Sequence, residues 1–338
     1  MIMIKLFVDF VVGAYRNILE HDKEASMLQI IIRLLKIIYN RAVYKFDSNE
    51  YFYYHIENIS TANKRMLYPK YYQARLYYKV NSDYARRLAT DKYESYLKFK
   101  SAYMRDVCVW DPECRPECNK DDEKLQLERF IQRHKRFIVK PLFLNSGKGI
   151  RIYDTDCFQS DKDAIDSLVS QYHSGFIAEE LIVQSKWFAN FHPKSVNTVR
   201  IQTVLLADGR IDCIYPCFRI GVGDSVVDNA GSGGIFVAID KDTGRTIAAA
   251  DEFGRSFVKH PDTSLPLIDC EIPCWNDACK LVMDLASNFT ECKIIGWDLA
   301  LTDKGWCIVE VNAHPLLIYQ IATQKGIRKD MEELIDRI

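Results

Sequence analysis

Three oxygen-bearing side chains near the C-terminus stand at spacings that suit a hard cation. The stretch Gly296 to Leu317, GWDLALTDKGWCIVEVNAHPLL, reads as two strands, Trp297 to Thr302 and Trp306 to Asn312, around Asp303-Lys304-Gly305. A three-residue hairpin loop of this kind places glycine where a positive φ is wanted. The register then sets Thr302 against Trp306 and Asp298 against Glu310, and period-two alternation puts Asn312 on the same face as Glu310. Carboxylates facing each other at about 5 Å between Cβ atoms repel unless a cation lies between them. Two carboxylates and an amide oxygen suit Mg²⁺, which keeps places for water and phosphates. The same residues also read as an acidic edge that keeps a strand soluble. The hairpin alone does not separate the two.

Further upstream, Lys140 ends the apolar run FIVK and precedes Pro141, so its backbone is extended and its ammonium emerges beside Asn145-Ser146-Gly147-Lys148-Gly149. Strand, glycine loop, strand (Ile150 to Tyr153) is a β-hairpin lid; a Walker loop would need a helix and Ser/Thr after the lysine. Amides of Ser146, Gly147, Lys148 and Gly149 can still fold over phosphates. An isolated lysine here is ordinarily a surface charge. Beside a metal-binding acidic pair, lysine and glycine lid together are what a triphosphate requires. Lys92, in TDKYESYLKFK, is a candidate second phosphate lysine among many basic neighbours. Arg200 (VRI) and Arg219 (CFRIG) lie in otherwise apolar strands, so each must pair with an acid or face a polar cleft, where it can stabilise a transferring phosphoryl group. Glu179 and Glu180, with Leu181 and Ile182 after them, end a strand and can line a cleft for adenine or ribose. Asp228, Asn229, Ser232, Gly233 and Gly234, in VVDNAGSGG, can present amides to a carboxylate or acyl phosphate. The seven histidines form no catalytic motif and no G-x-S-x-G occurs, which favours positioning and electrostatics on ATP over covalent catalysis.

The elements that must hold these groups follow from periodicity. Met1 to about Tyr44 is helical in pattern, with Gln29, Arg33, Lys36 and Asn40 as one polar stripe on an apolar helix between Met27 and Arg41. That helix reads as domain packing, or as an interfacial helix on a membrane or partner. Its apolar stretch is too short to span a bilayer. Helices are expected over about Asp121 to Lys135, Asp161 to Tyr172 and Trp275 to Asn288. Strands are expected at Phe137 to Lys140, Gly175 to Ile182, Val199 to Leu206, Arg210 to Arg219, Ile235 to Ile239 and Arg245 to Ala250. Strand-rich with few crossover helices, the second half predicts antiparallel pairing and an α+β fold.

At 338 residues, 48% hydrophobic and a formal net charge of −1, the chain is neither disordered nor collagen-like, and about two domains are expected. Thr61 to Arg105 holds 11 Lys/Arg against three acids, interleaved with Tyr68, Tyr71, Tyr72, Tyr77, Tyr78 and Tyr84. Such a block serves a solvated face, an anionic substrate or a membrane; without an RNA-binding signature, nucleic acid is not expected. Eleven scattered cysteines read as reduced cytosolic thiols, although Cys114/Cys118, Cys213/Cys217 and Cys270/Cys274 share a C-x3-C spacing that also invites zinc. No cleavable signal is evident, and a cytoplasmic location, peripheral at the inner face of a membrane at most, is expected.

The order of these features, and above all the blocks FIVKP, HPKSVNTVRI, VDNAGSGGI and IGWDLALTDKGWCIVEVNAHP, resembles the ATP-grasp superfamily, and within it the sugar-transfer-associated ATP-grasp family linked to bacterial capsule and surface-polysaccharide synthesis. The resemblance covers about Lys92 to Lys325. It leaves residues 1–90 as the helical, basic, tyrosine-rich region that periodicity and composition give, and implies an ATP-grasp lobe 91–182 carrying the phosphate lysine and lid, and a C-terminal lobe 183–338 with the Mg²⁺ site. ATP would lie between the lobes, with Lys140 on the α/β-phosphates, Ser146 to Gly149 closing over them and Glu180 to Ile182 at the adenine hinge. Asp298, Glu310 and Asn312 would hold one or two Mg²⁺; Arg200 and Arg219 would face the γ-phosphate or acyl phosphate. The implied reaction joins a carboxylate to an amine through an acyl phosphate, with an acidic sugar or polysaccharide component and an amine or amino acid as partners. A kinase on the same fold and a non-catalytic module of a synthesis complex are the alternatives. The loop N-S-G-K-G is leaner than many in the superfamily.

Overall fold

The structure is a computed structural model that describes residues 2–112, 120–143, 149–228 and 233–338. Ser146, Gly147, Lys148, Asn229, Ser232, Cys114 and Cys118 therefore lie outside the described residues.

The first third is helical: α1 (Ile2–His21), α2 (Met27–Tyr44), α3 (Ser48–Tyr53), α4 (Thr61–Met66), α5 (Lys70–Val80), α6 (Asp83–Thr90) and α7 (Lys92–Tyr103). The break after α1 is set by a capping box. Ser26 Oγ accepts from the Gln29 N–H while the Gln29 side chain accepts from the Ser26 N–H, satisfying two orphan donors at the start of α2. Asp47 and Glu50 do the same for α3. The polar stripe of α2 is turned toward the protein: Asn40 is buried, Arg33 pairs with Asp22 at 2.8 Å and Lys36 with Glu57 at 3.4 Å.

Two antiparallel sheets follow. The smaller holds β1 (Val107–Trp110), β2 (Arg136–Pro141), β3 (Arg151–Asp154) and β4 (Phe176–Glu180) in the order β1-β4-β2-β3, with helices α8 (Lys120–Arg133) and α9 (Asp161–Gln171) packed on Phe137, Val139 and Ala178. After a short helix α10 (Lys186–Ala189) comes the larger sheet. It holds β5 (Thr198–Leu205), β6 (Ile211–Ile220), β7 (Ile235–Ile239) and β8 (Thr246–Asp251), then, beyond helix α11 (Trp275–Ser287), β9 (Ile294–Thr302) and β10 (Gly305–Asn312). Their order is β10-β9-β5-β6-β7-β8. Helices α12 (Ile318–Thr323) and α13 (Arg328–Ile335) end the chain.

Both faces of the larger sheet are covered, which explains its unbroken apolar runs. Along β7, Ile235, Val237 and Ile239 enter the core with α11, while Phe236 and Ala238 point the other way onto α12 and the N-terminal helices. Tyr68 and Tyr77 of the basic block are core residues packed with Val204, Ile294 and Leu317. Asn81, between α5 and α6, ties this region to β9. Its Nδ2 donates to the carbonyls of Ile294 (2.7 Å) and Ala313 (2.8 Å), and its Oδ1 accepts from the Ile294 N–H at 3.0 Å.

One detail of the β9–β10 hairpin differs from expectation. Gly305 pairs with Thr302, so the turn is the two residues Asp303-Lys304, and Gly305, at φ 112°, opens β10. On that register Asp298 would face Val309. A bulge between Ile308 and Glu310 inserts one residue and restores Asp298 opposite Glu310. The expected pairing is thus present, reached through a shorter turn and a bulge.

Replacing Asn81 with alanine leaves two buried carbonyls and one buried N–H without these partners. The variant is expected to lose about 3 kcal/mol of unfolding free energy, with an unchanged urea m-value. Urea titration followed by tryptophan fluorescence reads both.

Candidate active site

Lys140 emerges from β2 into a contact that its sequence neighbours do not announce. Its Nζ lies 2.9 Å from both oxygens of Glu179 on the adjacent strand β4, and both residues are buried. Glu179 also accepts from Arg105, through Nε at 2.9 Å and Nη2 at 2.5 Å. The remaining nitrogen of Arg105 donates to the carbonyls of Tyr103 (3.0 Å) and Ile308 (2.5 Å). Ile308 is the residue before the β10 bulge, so one guanidinium joins the smaller sheet to the strand that presents Glu310. Burial works against the Glu179 charge, but Arg105 and Lys140 outweigh it and hold the carboxyl below its ordinary range. Glu180, one residue on, points to the opposite side of the strand and accepts from the Asp106 N–H.

On the larger sheet a row of charged side chains crosses three strands. Arg200 on β5 faces Asp298 on β9, which faces Glu310 on β10. Arg200 binds Asp298 through Nε (2.6 Å) and Nη2 (2.7 Å), and Arg219 adds a third bond at 2.7 Å before reaching Asp228 at 3.0 Å. Asp298 is buried, yet the two arginines hold its carboxyl below the usual range. Asp228 also accepts from the Thr198 N–H, and burial pushes its carboxyl up. The repulsion expected between Asp298 and Glu310 is therefore offset from the β5 side of Asp298, by guanidinium.

These residues open onto one cleft between the sheets, enclosing about 1040 Å³ with open solvent included. Lys92, Lys140, Glu179, Arg219, Asp298 and Glu310 give it its charge, while Ile138, Ile150, Leu181, Ile182, Val227 and Val309 give it apolar walls. Lys92 begins α7; burial lowers its ammonium, with Glu310 pulling upward and Lys140 downward. Glu180, Gly149, Arg200 and Asn312 are not among the lining residues; Arg200 is engaged with Asp298, and Gly149 follows the undescribed part of the loop with φ 74°. Arg105 and the Val309 bulge went unnoticed in the sequence: the first was one cation among eleven, the second has no residue signature.

Donor chemistry tests whether a divalent cation fits. Glu310 accepts no hydrogen bond or ion pair among the described residues, and the Asn312 amide has a buried Nδ2 without a partner. Gly296, opposite Asn312, leaves no room for a Cβ, which would meet Pro315 at 2.6 Å, so the chain after Asn312 is pressed against β9. Both oxygens of Asp298 are already taken by guanidinium. Mg²⁺ needs only one or two carboxylates beside water and phosphate oxygens, and Glu310, which lines the cleft, fits that demand; Asn312 could add only its Oδ1, because its unpaired Nδ2 is a donor that calls for an acceptor.

Two antiparallel α+β lobes with a charged cleft between their sheets are the ATP-grasp fold. The family described as sugar-transfer associated ATP-grasp matches residues 71–335, and the chain belongs to it. No curated protein matches the chain. Among solved structures, the D-alanine-D-alanine ligase of Helicobacter pylori is similar at 13% identity and TM-score 0.45, covering 76% of this chain and 61% of that one. The N5-carboxyaminoimidazole ribonucleotide synthetase of Thermotoga maritima is similar at 12% and 0.44, covering 80% and 56%. The D-alanine-D-alanine ligase of Coxiella burnetii follows at 10% and 0.43, covering 74% and 57%. The chain thus spans less than two thirds of the length of each.

Removing the charge of Glu179 strands two cations. Glu179→Gln is expected to lower unfolding free energy by about 3–5 kcal/mol. Because Glu179 and Asp298 have depressed carboxyls in the folded state, the stability they contribute is present above the unfolded value of about 4 and is lost as pH falls through their lower folded values. Thermal unfolding from pH 7 to 2 should show the wild type losing stability mainly below about pH 4 and Glu179→Gln losing less.

Proposed function

We propose that the protein is an ATP-dependent carboxylate–amine ligase acting on a component of a bacterial surface polysaccharide, joining an amine or amino acid to an acidic sugar such as a uronic acid. The observation that carries the reading is the meeting, in one cleft, of a braced lysine from one sheet with a carboxylate pair from the other. An adenine ring suits the apolar walls formed by Ile138, Ile150, Leu181 and Val309, and the phosphates then run toward Lys140 and Lys92. Glu179 fixes the Lys140 ammonium, so little reorganisation is needed when a phosphate arrives. Mg²⁺ on Glu310 and Asn312 would supply neutralisation of the phosphate charge.

Chemistry then follows from charge. A carboxylate oxygen of the acid substrate attacks the γ-phosphorus and ADP leaves with the electron pair of the broken P–O bond. Arg219, which lines the cleft, faces the charge that develops on the phosphoryl oxygens, while Arg200 keeps Asp298 ionised and oriented behind it. The amine attacks the resulting acyl phosphate, its C–O bond breaks, inorganic phosphate departs and the amine proton is released to solvent.

Purified protein with ATP, Mg²⁺ and candidate acid–amine pairs should release ADP and phosphate only when both partners are present. ADP released with a stable phosphorylated substrate would mark a kinase instead, and absence of any thermal shift with an ATP analogue would leave a non-catalytic module. Glu310→Ala is expected to lower turnover by about 100-fold or more while leaving the fold intact, and retained turnover would sink the metal assignment. Lys140→Met should weaken nucleotide binding by about tenfold or more in isothermal titration, because Glu179 still keeps Arg105 as a partner. Chelation with EDTA should stop turnover, and restoring Mg²⁺ should recover it.

A further inference from the structure

The outward face of the N-terminal helices is apolar where a helix facing water is ordinarily polar. α2 buries Ile30 and Ile37 against the protein. Its opposite side carries Leu28, Ile31, Ile32, Leu35, Tyr39 and Val43 in the open, and at about 100° per residue these fall on one stripe. Leu28 is 67% exposed, Leu35 62% and Tyr39 58%, so the stripe is bare along its whole length. α1 shows the same with Val8, Val12 and Tyr15, all exposed at helical spacing. Isolated exposed leucines are ordinary; a continuous helix face of them marks an interaction surface.

The polar contacts of α2 fix this orientation. Arg33 is held by Asp22, Lys36 by Glu57, and Asn40 is buried with its Nδ2 donating to the Lys36 carbonyl, so the apolar stripe is left outward. No described helix is long and apolar enough to cross a membrane.

Charge selects among occupants. Residues 2–45 hold seven Lys/Arg against four Asp/Glu. Lys5 lies one turn from Val8 and Arg16 one turn from Val12, so exposed cations border the apolar stripe of α1. Where α2 ends, Arg41 packs over Phe10 and Lys64 over Tyr44, with Lys45 and Arg65 next to them in the chain. An apolar stripe containing tyrosine and rimmed by cations matches lipid: acyl chains take the stripe, tyrosines sit at the interface, and Lys/Arg reach headgroup phosphates. We propose that α1 and α2 dock the protein on an anionic phospholipid surface, lying in the interface rather than crossing it. This holds whatever the cleft catalyses.

Co-sedimentation of the full chain with vesicles tests it. The protein should pellet with phosphatidylglycerol–phosphatidylcholine vesicles and stay in solution with phosphatidylcholine alone, and binding should fall as salt rises from about 50 to about 300 mM. Leu28→Ser/Leu35→Ser/Tyr39→Ser should weaken vesicle binding by about tenfold or more with an unchanged melting temperature, since the three side chains touch solvent in the folded protein. Absence of binding to anionic vesicles overturns the proposal. Sedimentation as a dimer that the triple variant converts to monomer, again without vesicle binding, overturns it in favour of a second copy of the chain.

Discussion

A single buried guanidinium, that of Arg105, joins the two halves of this protein. It satisfies Glu179 on β4 and the Ile308 carbonyl on β10, so the lysine of one sheet and the carboxylate of the other are held in register across the cleft. An unpaired guanidinium or ammonium at this depth would be strongly unfavourable, so Arg105 and Lys140 both depend on the charge of Glu179, which accepts from each. The planar fork of arginine matters here, because a lysine could not reach two elements with fixed geometry. This ion pairing is one of the links between the lobes, beside the bridge of Gln184 to Thr302 and the bond from the Ser185 N–H to the Leu301 carbonyl.

The second charge cluster obeys the same rule with a different purpose. Asp298 is neutralised from the β5 and β6 side by Arg200 and Arg219, while Glu310, on the cleft, and the Asn312 Nδ2 make no hydrogen bond among the described residues. A fully self-satisfied cluster would have nothing left for a phosphate or a cation. By pairing Asp298 and leaving Glu310 without a hydrogen bond among the described residues, the sheet keeps a stable interior and a charged surface within one cross-strand row. The Val309 bulge makes this possible by shifting register by one residue just where the strand meets the cleft.

The helical N-terminal region, only part of which precedes the family match, is built into the same core. Tyr68 and Tyr77 pack under β9, Asn81 bonds to Ile294 and Ala313, and the first three helices cover the face of the larger sheet opposite α11. Tyrosines interleaved with basic residues therefore serve burial at some positions and exposure at others, a division that the one-dimensional pattern conceals. The polar stripe of α2 behaves likewise. Its residues find Asp22 and Glu57 on neighbouring segments, and the apolar side, which a sequence reading assigns to packing, is left facing outward.

The positions of the described strands other than β1, the antiparallel pairing of the second half and the order of Lys140, Asp298 and Glu310 in one family pattern were legible in the amino-acid sequence; β1, four residues without clear alternation, was not. Alternation, turn residues and long motif blocks are local and survive in one dimension. The pairing of Asp298 with Glu310 was legible too, though its route was not, because a bulge carries no residue signature and compensates a turn one residue shorter than expected. Arg105 is beyond such reading altogether: its partners lie 74 and 203 residues away. Only the folded chain decides which of eleven cations in a basic block becomes buried between two sheets, because burial of a charge depends on what meets it in space and not on what precedes it in sequence.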